Sequence, residues 1–344
     1  MLTLATAARA ADAIVAAPDP EPVEYVRVCN AAGKGFFYIP GTENCLSIRG
    51  YVRYDAAFGS YLAVTSDTGD ETWAKHARAM LKVSTWSATD LGDLNTYVEM
   101  QMDWDTLQDT ANHYTEGSFS IPVAYIQLGG LQIGVNDSAF VTYPDYAGDV
   151  INDGLYGPFT TNLISYTFTN DSGFSAILSL EQGDGAPGWL IDDYVPHVVA
   201  GLGFEQDNWG VKGVVAWDSR DGAGRGGLAA TLRGDVKFND SFSAFAMLLY
   251  AEAGTADSYG VWVTNGADTF SVIAGASATL SDSLALNGQI QWQEGNGGSD
   301  VWYVAANANY TVVPGFVVTP EVNWLRDNAG DSYWGGLVRF EREF

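Results

Sequence analysis

Long apolar runs are missing from this chain. Across its 344 residues, nothing approaches the roughly 18–20 consecutive apolar residues that a membrane-spanning helix needs. Basic residues are scarce: lysine and arginine number 16 against 42 aspartates and glutamates, for a formal net charge of −26. Phosphate backbones are bound by basic patches, so nucleic acid is excluded as a partner. There are three histidines, His76, His113 and His197, and two cysteines, Cys29 and Cys45. No histidine lies near the cysteines in sequence, and neither a metal site nor a cofactor is expected. A Gly-x-Ser-x-Gly elbow is also missing. The Asp192-Asp193 pair lacks the spaced carboxylates of an EF-hand loop. His113 falls in an expected loop and His197 at a strand start, where a lone histidine reads as a surface residue. An enzyme is not expected.

Apolar residues nevertheless make up 47% of the chain, aromatics 13%, and glycines number 39. Acidic disordered chains are poor in aromatics, so this composition is not that of a disordered polymer. The apolar residues are dispersed in short alternating runs. Leu46, Ile48, Val52 and Tyr54 alternate with Ser47, Arg49, Tyr51, Arg53 and Asp55. Ala77, Ala79, Leu81 and Val83 do the same over His76 to Ser84, and Val98, Met100 and Met102 stand opposite Tyr97, Glu99 and Gln101. Period two with one apolar face is the pattern of a strand between lipid and water. It also fits a soluble sandwich with one wet face. Loop length separates the two. Tight turns at Asp90–Asp93, Gly129-Gly130, Asn170–Gly173, Gln206–Asn208, Asn239–Ser241, Ser281–Ser283 and Val313–Gly315 alternate with longer connections near 58–74, 105–118, 137–161, 183–195, 219–227, 252–267, 294–299 and 325–331. Seven turns and eight loops make about sixteen strands. The fold class expected is therefore all-β, a closed antiparallel transmembrane barrel, because only helices and closed barrels satisfy every backbone polar group in hydrocarbon. Trp86, Trp104, Trp209, Trp217, Trp292, Trp324 and Trp334 fall at strand ends, where interfacial girdles place them.

The two ends carry different signals. Residues 1–10 (MLTLATAARA) read as the remnant of a secretory leader, with Ala8-Arg9-Ala10 fitting the small-residue cleavage rule; an ordinary N-terminus is the other reading. Residues 11–45 form an N-terminal segment expected in the periplasm: a proline-rich acidic stretch over 14–24, then a part bounded by Cys29 and Cys45. An isolated cysteine pair in an exported chain reads as a disulfide. The barrel is expected over 46–344.

Several stretches then carry a family resemblance: Tyr25-Val-Arg-Val-Cys29, Phe37-Tyr-Ile-Pro-Gly-Thr42, Cys45-Leu46, Gly50-Tyr-Val-Arg-Tyr-Asp55, Ala124-Tyr-Ile-Gln-Leu-Gly-Gly130, Gly148-Asp-Val-Ile-Asn-Asp153, Pro196-His-Val-Val199, Val313-Pro-Gly-Phe316, Thr319-Pro-Glu-Val322 and Trp334-Gly-Gly-Leu-Val-Arg-Phe340. Together they resemble the alphaproteobacterial outer-membrane porins of the rhizobial and brucella type, over essentially the whole chain. The resemblance implies a sixteen-stranded homotrimeric porin of the bacterial outer membrane, with its third external loop folded into the lumen. The partners it implies are outer-membrane lipid and lipopolysaccharide, the insertion machinery that reads a C-terminal aromatic such as Phe344, and small hydrophilic solutes. The loop sequences depart most from the family pattern.

Charge placement points to a pore constriction. No lysine or arginine occurs between Lys82 and Lys212, a gap that contains the third loop, near 139–161, with Asp145, Asp149 and Asp153. Closure of a barrel sets the last strand beside the first, so Arg339, Arg49, Arg53, Arg78 and Lys82 are expected on one basic lumenal wall facing those aspartates. Facing patches of charge set which ions pass a narrow pore. Moderate cation selectivity is expected. A channel specific for sugars or carboxylates is the alternative; it calls for a run of lumenal aromatics, for which Tyr51 and Tyr97 are the candidates.

Overall fold

The structure is a computed structural model that describes residues 26–62, 64–65, 71–105, 117–184 and 188–344. The leader remnant at 1–10, the proline-rich stretch at 14–24 and His113 lie outside the described residues.

Sixteen long strands follow one another: β1 (Cys45–Phe58), β2 (Ala74–Thr89), β3 (Gly92–Asp105), β4 (Ser118–Leu128), β5 (Leu131–Asp137), β6 (Thr160–Thr169), β7 (Phe174–Glu181), β8 (His197–Gln206), β9 (Trp209–Asp218), β10 (Gly227–Asn239), β11 (Phe242–Ala251), β12 (Thr269–Ser281), β13 (Leu284–Gln293), β14 (Val301–Val313), β15 (Phe316–Arg326) and β16 (Ser332–Glu343). Each pairs antiparallel with the next, and β16 pairs antiparallel with β1 over Gly336↔Phe58 to Glu343↔Tyr51, which closes the barrel. Closure leaves no sheet edge and no unpaired row of backbone donors. The first strand begins one residue before the expected boundary, at Cys45. Tight turns gather at one end and long connections at the other, as alternation of loop length requires.

The outer face is apolar because alternate residues are. Val52, Leu202, Val215, Leu232, Leu248 and Phe270 stand about half exposed on it. Between β3 and β4 the register slips at Glu99 to Gln101. Pro122 sits in that stretch of β4 and has no N–H to give to the ladder, so a bulge is the local solution. Trp104, Trp209, Trp217 and Trp334 are exposed, and Trp324 and Trp334 lie ring to ring at 6.2 Å. Trp86 departs from the expected girdle. It is registered opposite Cys45 and shares the parity of Lys82 and Ser84, so it faces inward.

Inside, the two sides differ. Along β8 to β12 the inward residues include an aliphatic set: Val199, Val214, Ala216, Ala229, Met247, Leu249, Ala251 and Ile273. They pack against Phe140, Trp189, Tyr259 and Trp262 from the long connections. His197 belongs to this core and is not a surface residue. It is fully buried, stacks on Trp189 at 5.6 Å, and pairs with the Trp189 carbonyl and the Ser219 amide at 2.9 and 3.0 Å. The connections fold over the strand start and bury it, which a strand-by-strand reading does not reveal. The inner face of β16, β1, β2 and β3 is charged.

Candidate functional site

Antiparallel neighbours in direct register share a face, so the ladder gives the inner wall row by row. Arg339, Asp55, His76 and Asp105 make one row; Glu341, Arg53, Arg78 and Asp103 the next; Glu343, Tyr51, Met80 and Gln101 a third; Arg49, Lys82 and Glu99 a fourth. All five sequence-selected cations, Arg49, Arg53, Arg78, Lys82 and Arg339, are thus on one wall.

The wall is not basic, however. On these four strands five cations share the inner face with six carboxylates. Arg339 clasps Asp55 through two hydrogen bonds of 2.8 Å. Arg78 donates to Asp103 at 2.5 Å, and Lys82 reaches Glu99 at 3.0 Å. His76 lies 2.7 Å from Asp103 and 3.5 Å from Asp55. Among the described residues Arg53 makes no ion pair within 4 Å; its guanidinium lies 5.4 Å over the Tyr51 ring. Arg49 hydrogen-bonds to Ser47 and to the Lys34 carbonyl. The expectation of a basic wall fails because the carboxylates of β3 have the same parity as the cations of β2, and the 2.0-residue period that gathers one gathers the other. Tyr97 lies on this face too, 5.6 Å from Tyr125.

The connection between β5 and β6 is the third long one. Its first turn is helical over Ala139–Thr142, capped by the Ser138 hydroxyl, which accepts from the Phe140 amide at 3.1 Å. A fully buried carboxylate, Glu181 of β7, fastens this start. It accepts from the Ser138 hydroxyl at 2.7 Å, the Ala139 amide at 2.9 Å and the Tyr259 hydroxyl at 3.0 Å. Phe140 then stacks on Trp262 and meets Tyr259 edge-on.

The rest of this connection is held by inner-face side chains of later strands. The Arg233 guanidinium donates to the Tyr146 carbonyl. Gln289 accepts from the Gly148 amide at 2.7 Å, and Asn307 donates to the Asp149 carbonyl at 2.9 Å. Glu321 accepts from the amides of Ile151 and Asn152 at 2.5 and 2.9 Å. Gln291 both accepts from the Leu155 amide at 2.8 Å and donates to its carbonyl at 2.6 Å. These groups satisfy the backbone of a segment with no ladder of its own, which a buried loop requires.

The three loop aspartates have local partners. Asp145 and Asp149 are exposed. Asp145 has a φ of 87° and accepts from the Tyr146 amide at 2.8 Å. Asp149 accepts from the Ser277 hydroxyl at 3.0 Å. Asp153 accepts from the Tyr156 hydroxyl at 2.6 Å, and burial pushes its carboxyl above the ordinary aspartate range. Among the described residues, none of the three is hydrogen-bonded or ion-paired to the five cations of the opposite wall. Sequence reasoning missed Glu181, Arg233, Gln289, Gln291, Asn307 and Glu321. Large amides at every second position, as in Gln289-Ile-Gln291-Trp-Gln293, are the signal that marks such a wall.

A closed barrel of this size, apolar outside and polar within, defines a channel protein of an outer membrane. A family model described as the porin subfamily matches residues 12–337, and the chain belongs to that family. Porin Omp2b of Brucella suis biovar 1 is 46% identical over 276 residues, covering 76% of this chain and 74% of the relative. Porin Omp2b of Brucella canis is 45% identical over the same length. Among solved structures, the outer membrane channel DcaP of Acinetobacter baumannii superposes with a TM-score of 0.69 at 18% identity, covering 89% of this chain and 99% of that one. The anion-selective porin from Comamonas acidovorans gives 0.63 at 14% identity, over 88% and 100%. These two show a shared fold. The protein is a β-barrel of the bacterial outer membrane and a channel for small solutes. Its tight turns therefore face the periplasm and its long connections the exterior.

Proposed function

We propose that the chain forms a passive aqueous pore, moderately selective for cations, narrowed where the third connection crosses the lumen. The observation that supports this is the set of hydrogen bonds from Gln289, Gln291, Asn307 and Glu321 to the backbone of residues 148–155. Side chains of β13, β14 and β15 reach a segment that leaves from β5, which supports a path for it across the inside of the barrel. On this reading the remaining passage is bounded by the charged wall of β16 to β3. The proposed constriction residues are Asp145, Asp149 and Asp153 on one side and Arg49, Arg53, Arg78, Lys82 and Arg339 on the other.

Pairing on the wall decides the sign of selectivity. Arg78, Lys82 and Arg339 are each matched by a carboxylate, leaving Arg49 and Arg53 against three loop aspartates and a chain of net charge −26. A surplus of fixed negative charge concentrates cations within a Debye length, about 10 Å at 0.1 M salt. Residues 11–45 are assigned to the periplasmic side of the barrel, which as a whole works as a homotrimer in outer-membrane lipid and lipopolysaccharide. Planar-bilayer recording of the purified protein tests this reading. Stepwise conductance in groups of three, with a reversal potential toward the cation side, supports it; a protein that inserts without conducting refutes it.

A further inference from the structure

The first turn of the third connection covers a cavity of about 320 Å³ against the inner face of β4 to β9. Register sets its walls. Gln127, Gln132 and Ser165 stand directly opposite one another on β4, β5 and β6 and form one inward row. Thr169, Ser175, Gly203 and Lys212 form another, from β6 to β9. Thr169 and Ser175 flank the tight turn at Asn170–Gly173, so the cavity belongs to the periplasmic half of the lumen.

Tyr143 is the roof. Its hydroxyl and that of Ser175 share a hydrogen bond of 2.8 Å. The ring is seated on two inward positions of β8 that have no side chain. A Cβ at Gly201 would sit 2.9 Å from the ring, and one at Gly203 would sit 3.0 Å from the hydroxyl. Glycine at both positions is what lets the roof lie against the wall.

The lining differs from the rest of the lumen. The wall of β16 to β3 is charged, and β8 to β12 carry an aliphatic set. Here hydroxyls and carboxamides prevail: Gln132, Asn136, Thr142, Ser165 and Thr167 each offer a donor and an acceptor. The charged members of the lining are Glu205 and Lys212, which neutralise each other at 3.0 Å. Leu163 and Ile177 add an apolar patch. A ligand therefore meets donors, acceptors, an apolar patch and no net charge. This complements a sugar ring, whose hydroxyls each donate and accept and whose C–H faces are apolar. An ion finds no unmatched charge there, and an apolar solute leaves the amides without partners. The volume is at the lower end of small-molecule sites, which run from about 300 to 1,000 Å³, so it suits one ring and not a chain of them.

We propose that this cavity is a binding subsite for a neutral hydroxylated solute, a monosaccharide or small polyol. The proposal rests on the channel reading above, which supplies the route by which the solute arrives, and two measurements keep them apart. Saturation-transfer NMR of the detergent-solubilised protein titrated with D-glucose reads binding without conduction. Single-channel recording with the same sugar reads its effect on current. Glucose should give a saturable NMR signal and a saturable fall in current. A poly(ethylene glycol) of similar size should lower the current only in proportion to its concentration. Ser165→Ala with Thr167→Val removes two hydroxyls with little change of shape, and should weaken glucose binding about tenfold, the loss of two ordinary hydrogen bonds. Glucuronate, the same ring with one carboxylate, should bind no more tightly than glucose. Absence of a saturable signal from the wild type, wild-type glucose affinity in the folded double variant, or tighter binding of glucuronate would each overturn the proposal. If the double variant does not fold, the wild-type comparison of glucose with the polymer and with glucuronate decides it. Saturable glucose binding by a protein that does not conduct would support the subsite and overturn the channel reading.

Discussion

Phe344 closes the barrel on Gly50. Its amide donates to the Gly50 carbonyl at 2.9 Å, and its carbonyl accepts from the Gly50 amide at 3.0 Å. Its ring occupies the space that a side chain at position 50 would need: a Cβ there would lie 2.9 Å from the ring and 2.3 Å from the Met80 carbonyl. The last residue of the chain is therefore seated on the first strand, over a residue with no side chain to obstruct it.

Two variants probe this seat. Deleting Phe344 should lower the amount of folded protein in the outer membrane while leaving the conductance of assembled channels unchanged, since the ring is on the outer face. Gly50→Val should lower yield in the same way. Surface quantification with single-channel recording checks both; normal surface levels for either variant count against an assembly role.

The Cys29–Cys45 disulfide closes a loop with a sequence separation of 16, worth about 3 kcal/mol in the chain-entropy model. Mass spectrometry of the non-reduced protein should find no alkylatable thiol. Serine at both positions should reduce resistance of residues 26–44 to limited proteolysis before it affects the barrel, because the strand ladder does not depend on the bridge. Equal cleavage of both proteins would contradict this.

Glu321 accepts two loop amides and the Asn307 amide from a nearly fully buried position. Glu321→Ala strands these donors, at a cost of about 1–3 kcal/mol for each one left buried without a partner. The loop should loosen. Open-channel noise and mean conductance should both rise, with barrel heat stability in detergent nearly unchanged. A quiet channel of wild-type conductance would show that the loop is held elsewhere.

Much of this architecture is legible in the sequence, and the parts that are not share a physical cause. Period-two patterning at Leu46 to Asp55 and His76 to Ser84 marks strands locally, and turn chemistry such as Val313-Pro-Gly315 marks their ends. Both signals are complete within a few residues. The Arg339–Asp55 clasp spans 284 residues and the Glu321 contacts with the loop about 170. Such pairings depend on register across many strands, which no local pattern carries. Parity predicts which face Arg53 and Arg78 occupy; it does not say that Asp103 neutralises one and leaves the other. The burial of His197 is illegible for the same reason, because several of the groups that bury it, Trp189 and Tyr259, come from the long connections.

The half-buried Asp153 carboxyl ionises above the ordinary aspartate range, near 3.9 when unperturbed. As pH falls, it takes up its proton earlier than an unperturbed aspartate would. The loop loses this residue's negative charge early, so cation selectivity should begin to decline at a higher pH than ordinary carboxylates would dictate. Asp153→Asn should remove that early phase. Reversal potentials between pH 7 and pH 4 check it, and superimposable profiles for wild type and variant would contradict it.

In the pore proposed here, the third connection and the wall of β16 to β3 face one another across the narrowest part. The most direct test is the zero-current potential in a tenfold salt gradient for two charge-neutralised proteins. The triple variant Asp145→Asn, Asp149→Asn, Asp153→Asn should move the potential toward anion preference, and Arg49→Gln with Arg53→Gln should move it toward cations, both shifts shrinking as salt rises. If both proteins keep the wild-type potential at low salt, these side chains do not line the constriction and the account is wrong.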